Sequence, residues 1–316
     1  MVAQAAPDLA PPYLSPRERE DEMRQLAKSA GGESVVYGHS VENRPLVAIR
    51  LPSVAQNEKR VMITANIHGV EFIGGLLAME VLRACAARHP DWTKLRERAE
   101  LWILPCLNPD GYARTWRHQG NASLKQLRTN ARGVDLNRNF PLPAENRRGA
   151  LPFTGSADPA AATYYGLHPL SEPESAALGE LMRKYAFVAS VNLHSTMGTM
   201  IPARTKDPED YRTYKDLCQR FRQAQPHWRY RRLANRFLDA YTGEMEDFQH
   251  HRFGIWACCV ETFPILESLK ANLRAPSTFA RFNPSDPQPY IRNDMPGVLA
   301  FLNHALSLPA PRRPLG

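Results

Sequence analysis

Ala65-Asn66-Ile67-His68-Gly69-Val70-Glu71 closes an apolar run, Val61 to Ile67, and opens directly into a second one, Phe72–Leu82. The first has the length and composition of a buried strand and the second those of a helix, so His68 and Glu71 fall in the turn between them. Such a turn aims both side chains into one small space. An imidazole nitrogen and a carboxylate three residues apart can share a Zn²⁺ at ~2.0–2.2 Å, and a catalytic zinc takes three protein ligands and one water. A third ligand must then come from far along the chain. The H-x-x-E spacing recurs by chance, and a surface loop with a stray histidine is its plainer explanation.

Working outward, Arg60–Ile67 reads as a central strand, Val70–Ala87 as a long helix, Glu100–Leu104 and Phe187–Leu193 as further strands, and Phe253–Glu261 as the last core strand. Strands alternating with helices imply right-handed crossovers and a mostly parallel interior, with sites gathered at the carboxyl ends of the strands. Glu33–His39 and Pro45–Leu51 read as an edge hairpin, and Glu18–Ala30, Ser171 to about Tyr185, Asp207–Gln225 and Pro296–Leu306 as helices. Tyr112–Asn139 reads as a long functional loop, Pro141–Pro169 as a surface wrap and Phe263–Asn293 as an extended connection. The expected fold is α/β: one domain with a mixed, mostly parallel twisted sheet and helices on both faces. Its expected bounds are 17–308, with a flexible arm at 1–16 and a Pro-rich tail at 309–316.

A hydrophobic content of 43% in 316 residues suffices for a sizeable core. A net charge of +8 invites a nucleic-acid partner. The basic residues are scattered, however, and the densest group, Arg220–Arg236 with Phe221, Trp228 and Tyr230 interleaved, is more simply a solvated helix face. Five cysteines, Cys85, Cys106, Cys218, Cys258 and Cys259, are an odd number without a framework spacing, which points to a reducing compartment. Met1–Pro16 lacks the basic start and apolar segment of a signal peptide, and no apolar run approaches the ~18 residues that span a bilayer. A cytoplasmic enzyme is expected, or a periplasmic one if a leader has been removed, with no membrane or nucleic-acid partner.

Two further residues stand out on chemical grounds. His194, in Asn192-Leu193-His194-Ser195, follows a buried strand and precedes small residues, Ser195 and Gly198, that leave room for a ligand. Glu261 emerges from the apolar strand Ile255–Val260, where an unused buried carboxylate would cost several kcal/mol. Asn108-Pro109-Asp110-Gly111 and the string Arg128-Thr129-Asn130-Ala131-Arg132-Gly133-Val134-Asp135-Leu136-Asn137-Arg138-Asn139-Phe140 lie between them and the opening turn.

In order and type these five motifs resemble the zinc carboxypeptidase (funnelin) family, over roughly Glu33 to Leu306. The R-x-N-A-x-G-V-D-L-N-R-N-F string is most similar to the carboxypeptidase E/N branch and the bacterial murein-peptide amidases. The resemblance implies one zinc per chain on His68, Glu71 and His194, and a peptide substrate with a free C-terminal carboxylate. It implies that Glu261 is the general base, taking a proton from a zinc-bound water and passing it to the leaving amine. Arg128, nine residues before Asn137, would polarise the scissile carbonyl, with Arg114, Arg117 and Arg132 as rivals. Asn137 and Arg138 would hold the terminal carboxylate, for which a guanidinium offers two parallel hydrogen bonds. Tyr241 is the best match for the family's mobile tyrosine over the substrate, although Thr242–Phe248 is shorter than in the digestive enzymes. Val70 stands where those enzymes carry a substrate-touching arginine.

Gly243-Glu244-Met245-Glu246-Asp247-Phe248 matches the stretch that precedes the base-bearing strand in the family. Counting back from Glu261 puts Glu246 at the position that selects the terminal side chain, and an acidic residue there implies Lys, Arg or, in a peptidoglycan peptide, diaminopimelate. The alternative is that Glu246 points to solvent and selection lies elsewhere. Two rivals share parts of the pattern: a deacylase resembling aspartoacylase or succinylglutamate desuccinylase, and a non-catalytic relative that holds a peptide end. The Asn-Pro-Asp-Gly and R-x-N-A-x-G motifs favour the peptidases, and neither base nor ligand is missing.

Overall fold

A computed structural model describes residues 9, 11–144, 146–149, 154–233, 240–274 and 277–312. In chain order its elements are α1 (Pro16–Ser29), β1 (Glu33–His39), β2 (Pro45–Leu51), β3 (Arg60–Ala65), α2 (Phe72–Ala86), α3 (Pro90–Arg98), β4 (Glu100–Leu104), α4 (Pro109–Arg117), α5 (Leu124–Arg128), α6 (Pro173–Lys184), β5 (Ala189–Ser195), β6 (Thr199–Pro202), α7 (Pro208–Ala224), β7 (Arg231–Arg232), α8 (Met245–Phe253), β8 (Trp256–Thr262), α9 (Ile265–Arg274), α10 (Thr278–Phe282) and α11 (Gln288–Ala305). The strands form one sheet in the order β1-β2-β4-β3-β5-β8-β6-β7. The four inner strands pair in parallel. Antiparallel pairing appears toward the edges, at β1–β2, β2–β4 and β6–β8.

Alternation along the inner strands splits the apolar side chains between two cores. Val61, Ile63 and Ala65 join a core built with residues of α1, α2, α7 and α11, and Met62, Trp102 and Leu104 join another with residues of α6 and α8. Burial on both faces explains why these strands read as unbroken apolar runs. Each fully buried aliphatic side chain contributes ~1.5–3 kcal/mol, so a polar group is kept in such a strand only against that gain. The α/β fold expected from the sequence is the one observed.

Several segments differ from expectation. Tyr112–Asn139 is not structureless: the Asn108 side chain accepts from the Gly111 amide at 2.8 Å to cap α4, and Ser123 with Gln126 forms a capping box on α5. The Phe263–Asn293 connection carries α9, α10 and the start of α11. α3 was not foreseen; Pro90 opens it, and it buries Trp92 and Leu95. Phe253 closes α8 instead of opening β8, because Gly254, at φ 68°, ends the helix in the left-handed region. Around Arg220 the aromatic residues face inward: Phe221 and Tyr230 are buried and Trp228 half-buried, whereas positions 234–236 lie outside the described residues.

Of the expected N-terminal arm, Leu9 and Tyr13 are buried, and Tyr13 packs edge-on against Phe72 and Phe279; residues 1–8 and 10 lie outside the described residues, as do 313–316 of the tail. All five cysteines are unpaired and buried. Among the described residues no helix is long and apolar enough to cross a membrane.

Candidate metal centre and active site

The turn after β3 is built from two motifs packed back to back. Asn66 adopts φ 51°, which asparagine tolerates, and its side-chain amide donates to the Glu71 carbonyl at 2.7 Å. A Cβ on Gly69 would come within 2.4 Å of the Gly111 carbonyl carbon, so the 66–71 and 108–111 turns approach as closely as they do only because Gly69 lacks one. Asn108 spans the seam, donating from its side chain to the Ile67 carbonyl at 3.2 Å and the Arg128 carbonyl at 3.3 Å. The Asn-Pro-Asp-Gly motif is thus the bracket that fixes where His68 and Glu71 point.

His68 Nδ1 lies 2.8 Å from Glu71 Oε1, and His194 Nδ1, delivered by β5, lies 3.1 Å from Glu71 Oε2. All three residues are buried, with their ligand atoms within 4.8 Å of one another. The far side of His68 decides its tautomer. Its Nε2 is 3.1 Å from Asp135 Oδ1, and Asp135 also accepts from Arg128 Nε at 2.9 Å. Burial opposes ionisation of Asp135, but the Arg128 charge, helped by the hydrogen bond with His68, outweighs it and holds the carboxyl far below the usual range. An ionised carboxylate can only accept, so His68 Nε2 carries the proton and Nδ1 turns its lone pair toward Glu71. Glu71 is likewise held well below its ordinary value, against burial, by His68 and His194. Two acceptors facing each other at 2.8 Å require a cation between them. The other oxygen, Glu71 Oε2, faces His194 at 3.1 Å, and there a proton can lie between the pair: burial disfavours the His194 cation, yet the Glu71 carboxylate raises its pKa to about 9. Two imidazole nitrogens, one carboxylate and a second-layer carboxylate are a donor set that fits zinc.

Glu261 sits beside this group by strand register, as β5 and β8 pair His194 directly with Glu261. His194, Cys259 and Glu261 bring ligand-type atoms within 4.8 Å of one another. Glu261 Oε2 is sealed from solvent and has no hydrogen-bond partner among the described residues. Burial, then the nearby Glu71 charge, pushes its pKa up to about 7. Of the four arginines weighed from sequence, Arg128 is the one that reaches the centre, with Nη1 3.9 Å from Glu71 Oε1. Arg114 donates to the backbone carbonyls of Gln126 and Asn130 at 2.6 and 3.0 Å, Arg117 is exposed, and Arg132 lies 3.7 Å from Glu172.

Arg138 and Asn137 lie in a short 3₁₀ turn, Leu136–Arg138, that packs on the start of α8: the Met245 amide donates to Asn137 Oδ1 at 2.9 Å. Arg138 Nη1 is 3.3 Å from Glu244 Oε1. Glu246 is buried and accepts at 2.8 Å from the side chain of Asn192, two residues before His194 on the same strand. It does not point to solvent. Its Oε2 is sealed without a hydrogen-bond partner among the described residues, and burial raises its pKa. Tyr241 is packed edge-on against His251, with its hydroxyl 3.5 Å from the Arg204 carbonyl oxygen. Asp135, Glu244 and Arg204 went unassigned from sequence. For Asp135 a signal was present: an acid between Val134 and Leu136, in a chain that also holds His68, implies a buried partner.

The fold overlays on thrombin-activatable fibrinolysis inhibitor with a TM-score of 0.76 at 20% identity, covering 93% of this chain and 75% of that one. It overlays on carboxypeptidase A from Helicoverpa armigera with 0.72 at 18%, covering 93% and 74%. In sequence the chain is 26% identical over 270 residues to carboxypeptidase D of Drosophila melanogaster, covering 76% of this chain and 17% of that protein. It is 28% identical over 173 residues to carboxypeptidase B2 of Rattus norvegicus, covering 52% and 40%. The chain therefore spans less than half the length of these curated relatives. Residues 20–266, which include every candidate metal-site and active-site residue described above, match the zinc carboxypeptidase family profile, and the chain belongs to that family.

Proposed function

We propose that the chain hydrolyses the C-terminal residue from a peptide, with zinc held by His68, Glu71 and His194. The observation that carries this reading is the sealed, unsatisfied carboxylate oxygen of Glu261 next to His194, with the Arg128 guanidinium also at the centre. Zinc, when bound, supplies a fixed positive charge that acidifies a water and polarises a carbonyl. Asp135 holds the His68 ring in the tautomer that leaves Nδ1 free to bind metal. Glu261 accepts the proton of the attacking water on its carboxylate and then delivers it to the nitrogen of the leaving amine. Arg128 places a guanidinium where the tetrahedral oxyanion forms, and its own pairing with Asp135 fixes its plane. Arg138, with Asn137, grips the terminal carboxylate through a charge-assisted pair.

The terminal side chain would rest on Glu246. A carboxyl that burial drives toward its neutral form gains most from a cationic partner, so Lys, Arg or diaminopimelate termini suit it, the last as part of a peptidoglycan peptide. Tyr241 is the residue proposed to cap the bound peptide.

The test is a set of peptides identical but for the last residue, each as free acid and as amide. Free acids ending in Lys, Arg or γ-D-glutamyl-diaminopimelate should turn over fastest, amides should be inert, and Glu246→Gln should flatten the side-chain preference. Equal cleavage of acid and amide would point to an endopeptidase or a deacylase instead. Preference for Phe or Leu termini, or a profile that Glu246→Gln leaves alone, would remove the acidic pocket.

A further inference from the structure

Arg138 already holds a carboxylate in this structure. Glu244 Oε1 lies 3.3 Å from Arg138 Nη1, while Glu244 Oε2 pairs with Arg204. Glu244 occupies the N-cap position of α8 yet makes no side-chain capping bond; the carboxylate is turned onto the two arginines instead. Side-chain exposure is 10% for Arg138, 13% for Glu244 and 15% for Arg204, so water screens these charges little. Burial works against the ionised Glu244, and the Arg204 and Arg138 charges override it, holding the carboxyl at about 2. Glu244 is an anion at any working pH. Arg204 also contacts Asp247 Oδ2 at 3.2 Å and donates its backbone amide to Oδ1 at 2.7 Å, which ties it to α8.

We propose that Glu244 is a built-in competitor for the substrate's terminal carboxylate, resting on Arg138 in the free protein and moving wholly to Arg204 when a peptide end arrives. The inference rests on the assignment of Arg138 as the carboxylate anchor. Arg204 makes the exchange feasible, because the displaced Glu244 keeps a cationic partner and no buried charge is stranded. Affinity for a ligand falls by the fraction of protein whose site is competent. If Glu244 sits on Arg138 about nine times in ten, peptide binding is weakened about tenfold. Glu244 thereby sets the working substrate range and eases release of the freed amino acid, whose carboxylate, the one the peptide brought in, must leave the same arginine.

The experiment uses the zinc-loaded full chain, measuring KM, kcat and inhibition by the free amino acid released in turnover. Glu244→Gln keeps the shape and removes the charge; it should lower both KM and the inhibition constant about tenfold, with a smaller effect on kcat. Arg204→Met removes the alternative partner and should raise both constants. Misfolding cannot tighten binding, so the opposite signs identify competition. If Glu244→Gln is recovered with less than stoichiometric zinc, Glu244→Asp decides: it keeps the charge but shortens the reach to Arg138, and KM should fall by a smaller factor. Unchanged or raised KM in a zinc-replete Glu244 variant, while the wild type still distinguishes acid from amide, overturns the competitor and leaves the anchor standing. Wild-type turnover of acid and amide alike removes the anchor, and the competitor with it.

Discussion

Glu261 lies on a strand whose other residues are nearly all apolar, and its carboxyl pKa is pushed up to about 7 by burial and by Glu71. That cost is tolerated where proton transfer needs it. Glu261→Gln should keep stoichiometric zinc and peptide binding while kcat falls ~10²–10⁴-fold, the range assigned to one acid–base group. Near-normal turnover would take Glu261 out of the mechanism. A second expectation follows from His194. With its pKa at about 9 in the metal-free site, it is protonated at pH 7, so zinc must displace a proton. Calorimetry in buffers of different ionisation enthalpy should show proton release on zinc binding, and zinc affinity should weaken as pH falls. Asp135→Asn should weaken zinc binding ~10–100-fold through His68, and a variant with wild-type zinc affinity would deny the tautomer argument.

His68, Glu71, His194 and Glu261 could be found in the sequence because each sits at the end of an apolar run, where a polar residue has no structural reason to be. Arg204 and Glu244 could not: their roles come from partners distant in the chain, which no local spacing encodes, and Asp135, between Val134 and Leu136, signalled a buried partner without saying which.

Among elements, α11 shows how burial writes pH dependence into the fold. Asp294 is fully buried and accepts from the Gln225 side chain at 2.8 Å, the Tyr230 hydroxyl at 3.0 Å and the Asn293 amide at 2.9 Å, joining α11 to the segment after α7. Burial lifts its pKa to about 7, and these donors only partly offset the rise. The folded pKa lies above the unfolded one, so Asp294 contributes its full stability below about pH 4, and the contribution is lost as pH rises through 7. Every tenfold difference in proton affinity between the folded and unfolded chain corresponds to ~1.4 kcal/mol. Asp294→Asn mimics the neutral acid. Its unfolding free energy in urea should decline less than the wild type's between pH 4 and 7, and parallel slopes would refute the linkage. Elements with a strong apolar period, such as β3, α2 and α7, were legible from sequence. The short capped ones were not: α3, α4, α5 and α10 are stated by single residues, Pro90, Asn108, Ser123 and Ser277, which resemble loop residues until their capping bonds are known.

Over the whole molecule, the mixed sheet was readable in outline because four doubly covered strands leave an apolar signature, whereas β6 and β7, the last two strands on one side of the sheet, are short and without one. What no single strand reveals is that the proposed metal ligand and the proposed base share a ladder. β5 and β8 run in unbroken register from Ala189–Trp256 to Ser195–Thr262, with His194 and Glu261 one pair from its end. His194 and Glu261 therefore stand on the part of the backbone expected to open last. Deuterium should enter the amides of these two strands only when the entire chain unravels, and heating should leave turnover rising until the melting temperature itself, where both vanish together. A centre that lost activity well below that temperature would instead have been mounted on something that can breathe by itself.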